Sequence, residues 1–337
     1  MTRAAFRAST ARRGGVLVVA ALGVLGCPRR SDAPTTGPSA SASVPAPVAS
    51  GVPFDPKELS DQVNPDGKRE YSGPVGVVEG RILASGDPPV EQPEIAQQIP
   101  EKCAAARPFY TKVFREGEGR ALADVLVSVI GYHEYIAAKE PAQRFVAKDC
   151  MFETRTIALT LGQRLEVVSG DKEAYIPELV GQRGHAQIVA TPGGQVASTL
   201  YPSEPGRFVL IDNLRLFMTS EVLVLKYATI DVTGIDGRYR IAGLPPGKLM
   251  LSAFLPATGG TVQKEITIEG GKTTTLDVQI PFDASAYRQA LAAQRDAGIG
   301  VYDAGAARDA GVAKDAGPAV SASAKAKIAK PAPSAKP

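Results

Sequence analysis

The 337-residue chain has no Trp, two His, three Cys, 6% aromatic residues and a formal charge of only +3. Each shortage excludes a class of function. Two histidines are too few for the usual ligand sets of a multi-metal enzyme or a haem protein. A charge of +3 lacks the basic footprint of nucleic-acid binding. Beyond one short run near the N-terminus, no stretch is long and apolar enough to span a bilayer as a helix. Gly and Pro, by contrast, are plentiful at 34 and 27 residues, and Ala/Ser/Pro tracts crowd both ends. This length and composition imply one or two globular domains with low-complexity flanks.

Residues 1–26 read as a targeting segment. Arg3, Arg7, Arg12 and Arg13 make a basic start, and Val16 to Leu25 an apolar core too short for a mature spanning helix. The tetrad Val24-Leu25-Gly26-Cys27 resembles the lipobox of bacterial lipoproteins. That resemblance implies cleavage before Cys27, lipid on Cys27, and export to the cell envelope. By lipoprotein sorting logic, Pro28 rather than Asp beside Cys27 implies the outer membrane. The leader holds four Arg and no acid, so the mature charge is +3 − 4, or −1. Residues 27–70, Ser/Pro/Ala-rich from Pro28 to Val52, read as a tether that cannot offset its ordering entropy. Asp-Ala-Gly recurs from 296, 303, 309 and 315, and 297–337 read as a disordered tail.

Between these ends the pattern is β. Val77–Leu83, Leu122–Ile130, Ile157–Leu161, Leu165–Val168, Phe208–Ile211, Val222–Tyr227, Tyr239–Ile241, Leu249–Ala253, Val262–Ile268 and Leu276–Ile280 read as short strands bounded by Gly/Pro turns. Their spacing predicts an all-β chain of sandwich architecture. Convincing helix is confined to about 284–296. Asp236-Gly237 reads as a tight hairpin and Pro245-Pro246-Gly247 as a second turn.

Two family resemblances divide the core. Thr233-Gly-Ile-Asp-Gly237-Arg-Tyr239-Arg-Ile241-Ala-Gly-Leu244-Pro-Pro-Gly247, with Gly80-Arg-Ile-Leu-Ala-Ser-Gly86 earlier, resembles the carboxypeptidase regulatory-like, transthyretin-like β-sandwich. It would occupy 71–135 and 230–283. The interruption, 136–229, is similar to a cupredoxin-like domain related to methylamine-utilisation proteins. The likeness rests on Val146-Ala-Lys-Asp149-Cys150-Met-Phe152, Ile157 to Asp171, Pro205-Gly206-Arg-Phe208, and Met218 with Val222 to Leu225. Copper-binding members place His, Cys, His and Met at positions falling here on Tyr175, Asp212, Arg215 and Met218. Only Met218 keeps a ligand type, which implies a cupredoxin-like scaffold without a cofactor.

Cys103 and Cys150 are the thiols left after lipidation, and an even pair in an exported chain most simply forms a structural disulfide. His133-Glu134-Tyr135-Ile136-Ala137 begins like a zinc-protease helix but has Ala137 where the second imidazole belongs. No nucleophile elbow or P-loop stands out. The leading expectation is a non-enzymatic, lipid-anchored envelope module that binds a glycan or protein. Tyr175, Arg215 and Tyr227 are its polar-aromatic surface candidates. The alternatives are a copper electron carrier and, less favoured, an enzyme acting on envelope polysaccharide, which would bring two carboxylates together in a cleft.

Overall fold

Alternation along the strands sets which side chains form the core. In Arg238–Leu244, Tyr239 and Ile241 are buried while Arg238 and Arg240 face solvent. Period-two burial of this kind is what a sheet with one covered face requires. The computed structural model describes residues 49–182 and 186–296, the side chain of Arg295 excepted. The 1–26 leader, Cys27, His185 and the 297–337 tail lie outside the described residues.

The chain begins with β1 (Ala49–Ser50), α1 (Pro56–Val63), β2 (Gly76–Gly86), α2 (Pro93–Gln98), α3 (Arg107–Tyr110) and β3 (Leu126–Ile130). Then come β4 (Ala142–Lys148), β5 (Met151–Phe152), β6 (Thr156–Thr160), β7 (Arg164–Ser169), β8 (Pro177–Val180), β9 (Ser198–Leu200), β10 (Gly206–Asp212) and β11 (Arg215–Leu225). The last group is β12 (Ile230–Val232), β13 (Arg238–Leu244), β14 (Gly247–Leu255), β15 (Gly260–Ile268), β16 (Thr273–Thr275), β17 (Val278–Phe282) and α4 (Ala284–Asp296).

These strands build two sandwiches, in agreement with the all-β expectation. The first faces a sheet of order β12-β3-β14-β15 against one in which β2 pairs with β13 on one side and with β16 and β17 on the other. Val78, Ile82, Val127, Tyr239, Leu251, Ile268 and Ile280 fill the space between. The second faces β1-β9-β7-β4-β5 against β6-β11-β10-β8, around Phe152, Leu159, Leu165, Leu210, Met218 and Val222. Its strands leave the first sandwich after Ile130 and return at Ile230.

Three expectations change. Within the stretch 27–70 read as a tether, the described part is folded. Ala49 and Ser50 pair in parallel with Thr199 and Leu200, and Phe54, Leu59 and Val63 pack on the second core. Asp55 caps α1 by accepting the N–H groups of Lys57 and Glu58 at 2.9 and 3.2 Å, a local signal that composition hides. Second, residues 93–110 precede β3 yet cover the second sandwich, contributing Ile99, Cys103, Ala106 and Tyr110 to its core. Third, Asp236-Gly237 makes a turn but no hairpin, because β12 and β13 belong to opposite sheets. Gly237 has φ +70°, and a Cβ there would stand 2.5 Å from the Ile82 carbonyl oxygen, so this corner admits Gly alone.

Candidate functional site

The candidate site lies at the end of the second sandwich where β4, β7 and β10 terminate. A two-residue turn joins β4 to β5, with Lys148 opposite Met151. In its type I′ form such a turn has positive φ at both central residues, and here they are Asp149 at 53° and Cys150 at 59°. Non-glycine residues in this region cost roughly 1–2 kcal/mol each. Surrounding contacts offset that cost. The Asp149 N–H donates to Asp171 Oδ2 at 2.7 Å, and the Cys150 N–H donates to Tyr175 Oη at 3.4 Å. Cys150 is also bonded to Cys103, with Cα atoms 5.6 Å apart, as expected from the cysteine count.

Asp171 and Tyr175 tie this turn to the next layer. Tyr175 is wholly buried, and its hydroxyl donates to Asp171 Oδ2 at 2.8 Å. Burial, with the neighbouring Asp171 carboxylate, pushes the phenol well above its ordinary range. Burial alone would raise Asp171, but the N–H groups of Asp149 and Glu173 and the hydroxyls of Tyr175 and Ser169 hold it below the usual carboxylate value. Over the Tyr175 ring, 4.7 Å from its centre, lies the Arg215 guanidinium. Arg215 Nη1 donates to Asp212 Oδ2 at 3.0 Å and to the Ala174 carbonyl at 3.1 Å; Nη2 donates to Glu173 Oε2 at 2.8 Å. Asp212, wholly buried, also accepts the Ile176 N–H at 2.6 Å.

Three of the four positions matched to copper ligands, Tyr175, Asp212 and Arg215, thus come together as a charge-paired cluster. Met218 is buried in the apolar core. These residues do not fit the copper that the cupredoxin likeness implies. Copper sites of that kind use two imidazoles and a thiolate, whereas this cluster offers a protonated phenol, a carboxylate already paired and a permanently charged guanidinium. The surface expectation is also corrected. Tyr175 and Arg215 are buried because the cluster closes over them, and Tyr227 is half-buried beyond the opposite end of β11. Asp171, which closes the cupredoxin-like stretch from Ile157, and Glu173 complete the cluster; Glu173 carries no motif that singles it out from other acids.

Two further polar features lie elsewhere. A groove of about 480 Å³ on the first sandwich is lined by Glu79, Arg81, Asp231, Arg238, Tyr239, Arg240 and Asp277. Arg240 pairs with Glu79, and Arg81 donates its backbone N–H to Asp277 Oδ1 at 2.8 Å. Burial pushes the Asp231 carboxyl up, against hydrogen bonds from the Arg240 and Val232 N–H groups. Where the sandwiches meet, Asp124 accepts Arg115 Nε and Nη2, both at 2.6 Å, and the Arg155 N–H at 2.8 Å. The cavity beside it holds about 70 Å³ and is lined by Asp124 and Glu221. Arg115 and Arg207 neutralise these two carboxylates, and the space suits a few waters rather than a sugar ring.

About a quarter of the chain is similar to solved amicyanin structures. A crystal structure of amicyanin from Paracoccus versutus matches at 15% identity over 25% of this chain and 80% of its own, with a TM-score of 0.22. An oxidised amicyanin variant matches at 20% identity over 26% and 89%, also with a TM-score of 0.22. A reduced variant gives 18% identity over 25% and 81%, with the same score. No protein-family profile matches the chain, and no curated protein matches it.

Proposed function

We propose that the chain is a lipid-anchored module of the cell envelope that binds or scaffolds rather than catalyses, and that it runs no copper redox chemistry. The observation that carries this reading is the Arg215 cluster. A guanidinium held by Asp212 and Glu173 over Tyr175 fixes positive charge where the cupredoxin likeness would put a metal cation. The end of the sandwich thereby becomes a pin for the Cys103–Cys150 turn. Anchoring rests on the basic leader, its short apolar core and Cys27. A diacyl or triacyl Cys supplies the two or more chains that stable attachment needs.

The groove around Arg81, Arg238 and Arg240 is the proposed contact for an envelope glycan or protein. Its alternating charges suit a hydroxylated, polar partner. Two measurements test the reading. Adding Cu(II) to the mature protein gives no intense visible band and no gain in thermal stability; a strong charge-transfer band promotes the electron-carrier alternative instead. Pull-down on purified envelope polysaccharide retains the protein, and the Arg238→Ala, Arg240→Ala pair weakens retention about tenfold. Equal retention of that variant removes the groove from the proposal. Envelope fractionation places the protein with the outer membrane, and Cys27→Ser releases it.

A further inference from the structure

The anchored reading leaves open which face of the protein meets the bilayer. β7 ends at Ser169, β4 at Lys148 and β10 at Asp212, so the turn 149–150, the loop 170–176 and the tip 213–214 gather at one end of the second sandwich. The loop after β8 joins them. Ala190 and Tyr175 exchange backbone hydrogen bonds at 2.8 and 3.2 Å, and the Gly193 N–H donates to the Asp171 carbonyl at 2.7 Å. β9 runs antiparallel to β7, with Val167 opposite Ser198, so the Ser198 end of β9 lies at this same end. β1 is parallel to β9, with Ala49 opposite Thr199 and Ser50 opposite Leu200. The chain therefore enters the fold beside Ser198, at the end that carries the Arg215 cluster.

The same end concentrates exposed apolar side chains. Among the described residues eight large hydrophobics are well exposed, and four of them are here: Val189, Val196, Leu214 at 57% and Leu216 at 52%. Leu214 and Leu216 flank Arg215, whose bonds to Asp212, Glu173 and Ala174 tie the tip to the loop 170–176. The charges at this end, Lys148, Lys172 and Arg215 against Asp149, Asp171, Glu173 and Asp212, nearly cancel, leaving −1. Twenty-one residues separate Cys27 from Ala49, a stretch that reaches at most about 75 Å. The described chain begins at this end, which presents apolar residues with little net charge.

We infer that the Leu214–Leu216 end of the second sandwich lies against the bilayer surface, with these two leucines entering its interfacial layer. The inference rests on the lipid anchor at Cys27. It adds that the first sandwich and its groove point away from the membrane. Because the net charge here is small, contact depends on apolar burial and is nearly insensitive to salt.

The natural chain has no Trp, so single tryptophans report position without background. Leu214→Trp, Leu216→Trp and, on the first sandwich, Ile235→Trp are made in the full chain. Each is purified with its own lipid and reconstituted into phosphatidylethanolamine/phosphatidylglycerol vesicles with brominated acyl chains. Tryptophan at 214 or 216 is quenched at least about twofold and shifts to the blue, equally at low and high salt, while that at 235 is not quenched. Quenching at 214 and 216 no greater than at 235 overturns the inference. So does a dimer in which a second copy shields both tryptophans. Mass spectrometry of Cys27 in the same preparation separates the two readings. An unmodified residue removes the anchor and the orientation together, whereas acylated Cys27 with unquenched tryptophans removes the orientation alone.

Discussion

Replacing Arg215 by Met tests whether the buried cluster pins the second sandwich. Met keeps most of the length and can still cover the Tyr175 ring, so the change deletes charge more than volume. Asp212 then loses the guanidinium 3.0 Å from its Oδ2 and keeps only the Ile176 N–H at 2.6 Å on Oδ1. Both side chains of this pair are almost wholly buried. Removing one member of such a pair costs about 3–5 kcal/mol, because the remaining charge is left without a partner. Lost attraction between the cation and the Tyr175 ring, worth up to about 2 kcal/mol when desolvated, is contained within that range. Glu173 is more than half exposed, so its share stays below about 1 kcal/mol. The expected result is a loss of about 3–5 kcal/mol for Arg215→Met and under about 1 kcal/mol for Glu173→Gln. Urea denaturation with the disulfide intact reads both, and a double-mutant cycle with Asp212→Asn gives the coupling. A loss under about 1 kcal/mol for Arg215→Met, or equal coupling of Arg215 to Asp212 and Glu173, refutes the argument.

Three more outcomes follow from the same geometry. Converting Cys103 and Cys150 to Ser releases a loop closed over a separation of 47 residues, and the chain-entropy relation puts the cost near 4 kcal/mol; unchanged stability would contradict it. Buried Tyr110, Tyr175 and Tyr239 have phenols raised chiefly by burial. Above about pH 10 the unfolded chain sheds these protons while the folded chain keeps them, so stability is full below that pH and falls as pH rises. Denaturation at successive pH values, with tyrosinate absorbance alongside, checks this; a flat profile into strong alkali would count against it. Gly80→Ala sets a Cβ 1.9 Å from the Leu276 carbonyl oxygen, which forces backbone to shift and costs about 1–3 kcal/mol in a thermal or urea melt.

Ten of the seventeen described strands and the Gly/Pro turns were legible along the chain because both signals are local, whereas β1, β4, β5, β8, β9, β12 and β16 were not read. Alternation of Tyr239 and Ile241 with Arg238 and Arg240 follows from the two-residue period of a strand, whatever lies opposite. The helix near 284–296 was legible for the same reason, and in the structure Asp283 caps it by accepting the Ser285 and Ala286 N–H groups at 2.8 and 2.9 Å. Pairing of Cys103 with Cys150 needed no more than counting, since few thiols remained in the core. Partnership was not legible. A turn such as Asp236-Gly237 looks the same whether the next strand pairs with the last or crosses to the facing sheet, and only packing of the two faces decided that it crosses. Residues 49–63 look like tether because their few apolar side chains become a folding signal only where the second core receives them. Tyr175 and Arg215 read as surface by chemical type. Their burial depends on Asp171 and Glu173, which arrive from the loop 170–176, and on Asp212 at the end of β10. A charged group is buried only when its partners are supplied, and tertiary structure alone supplied them.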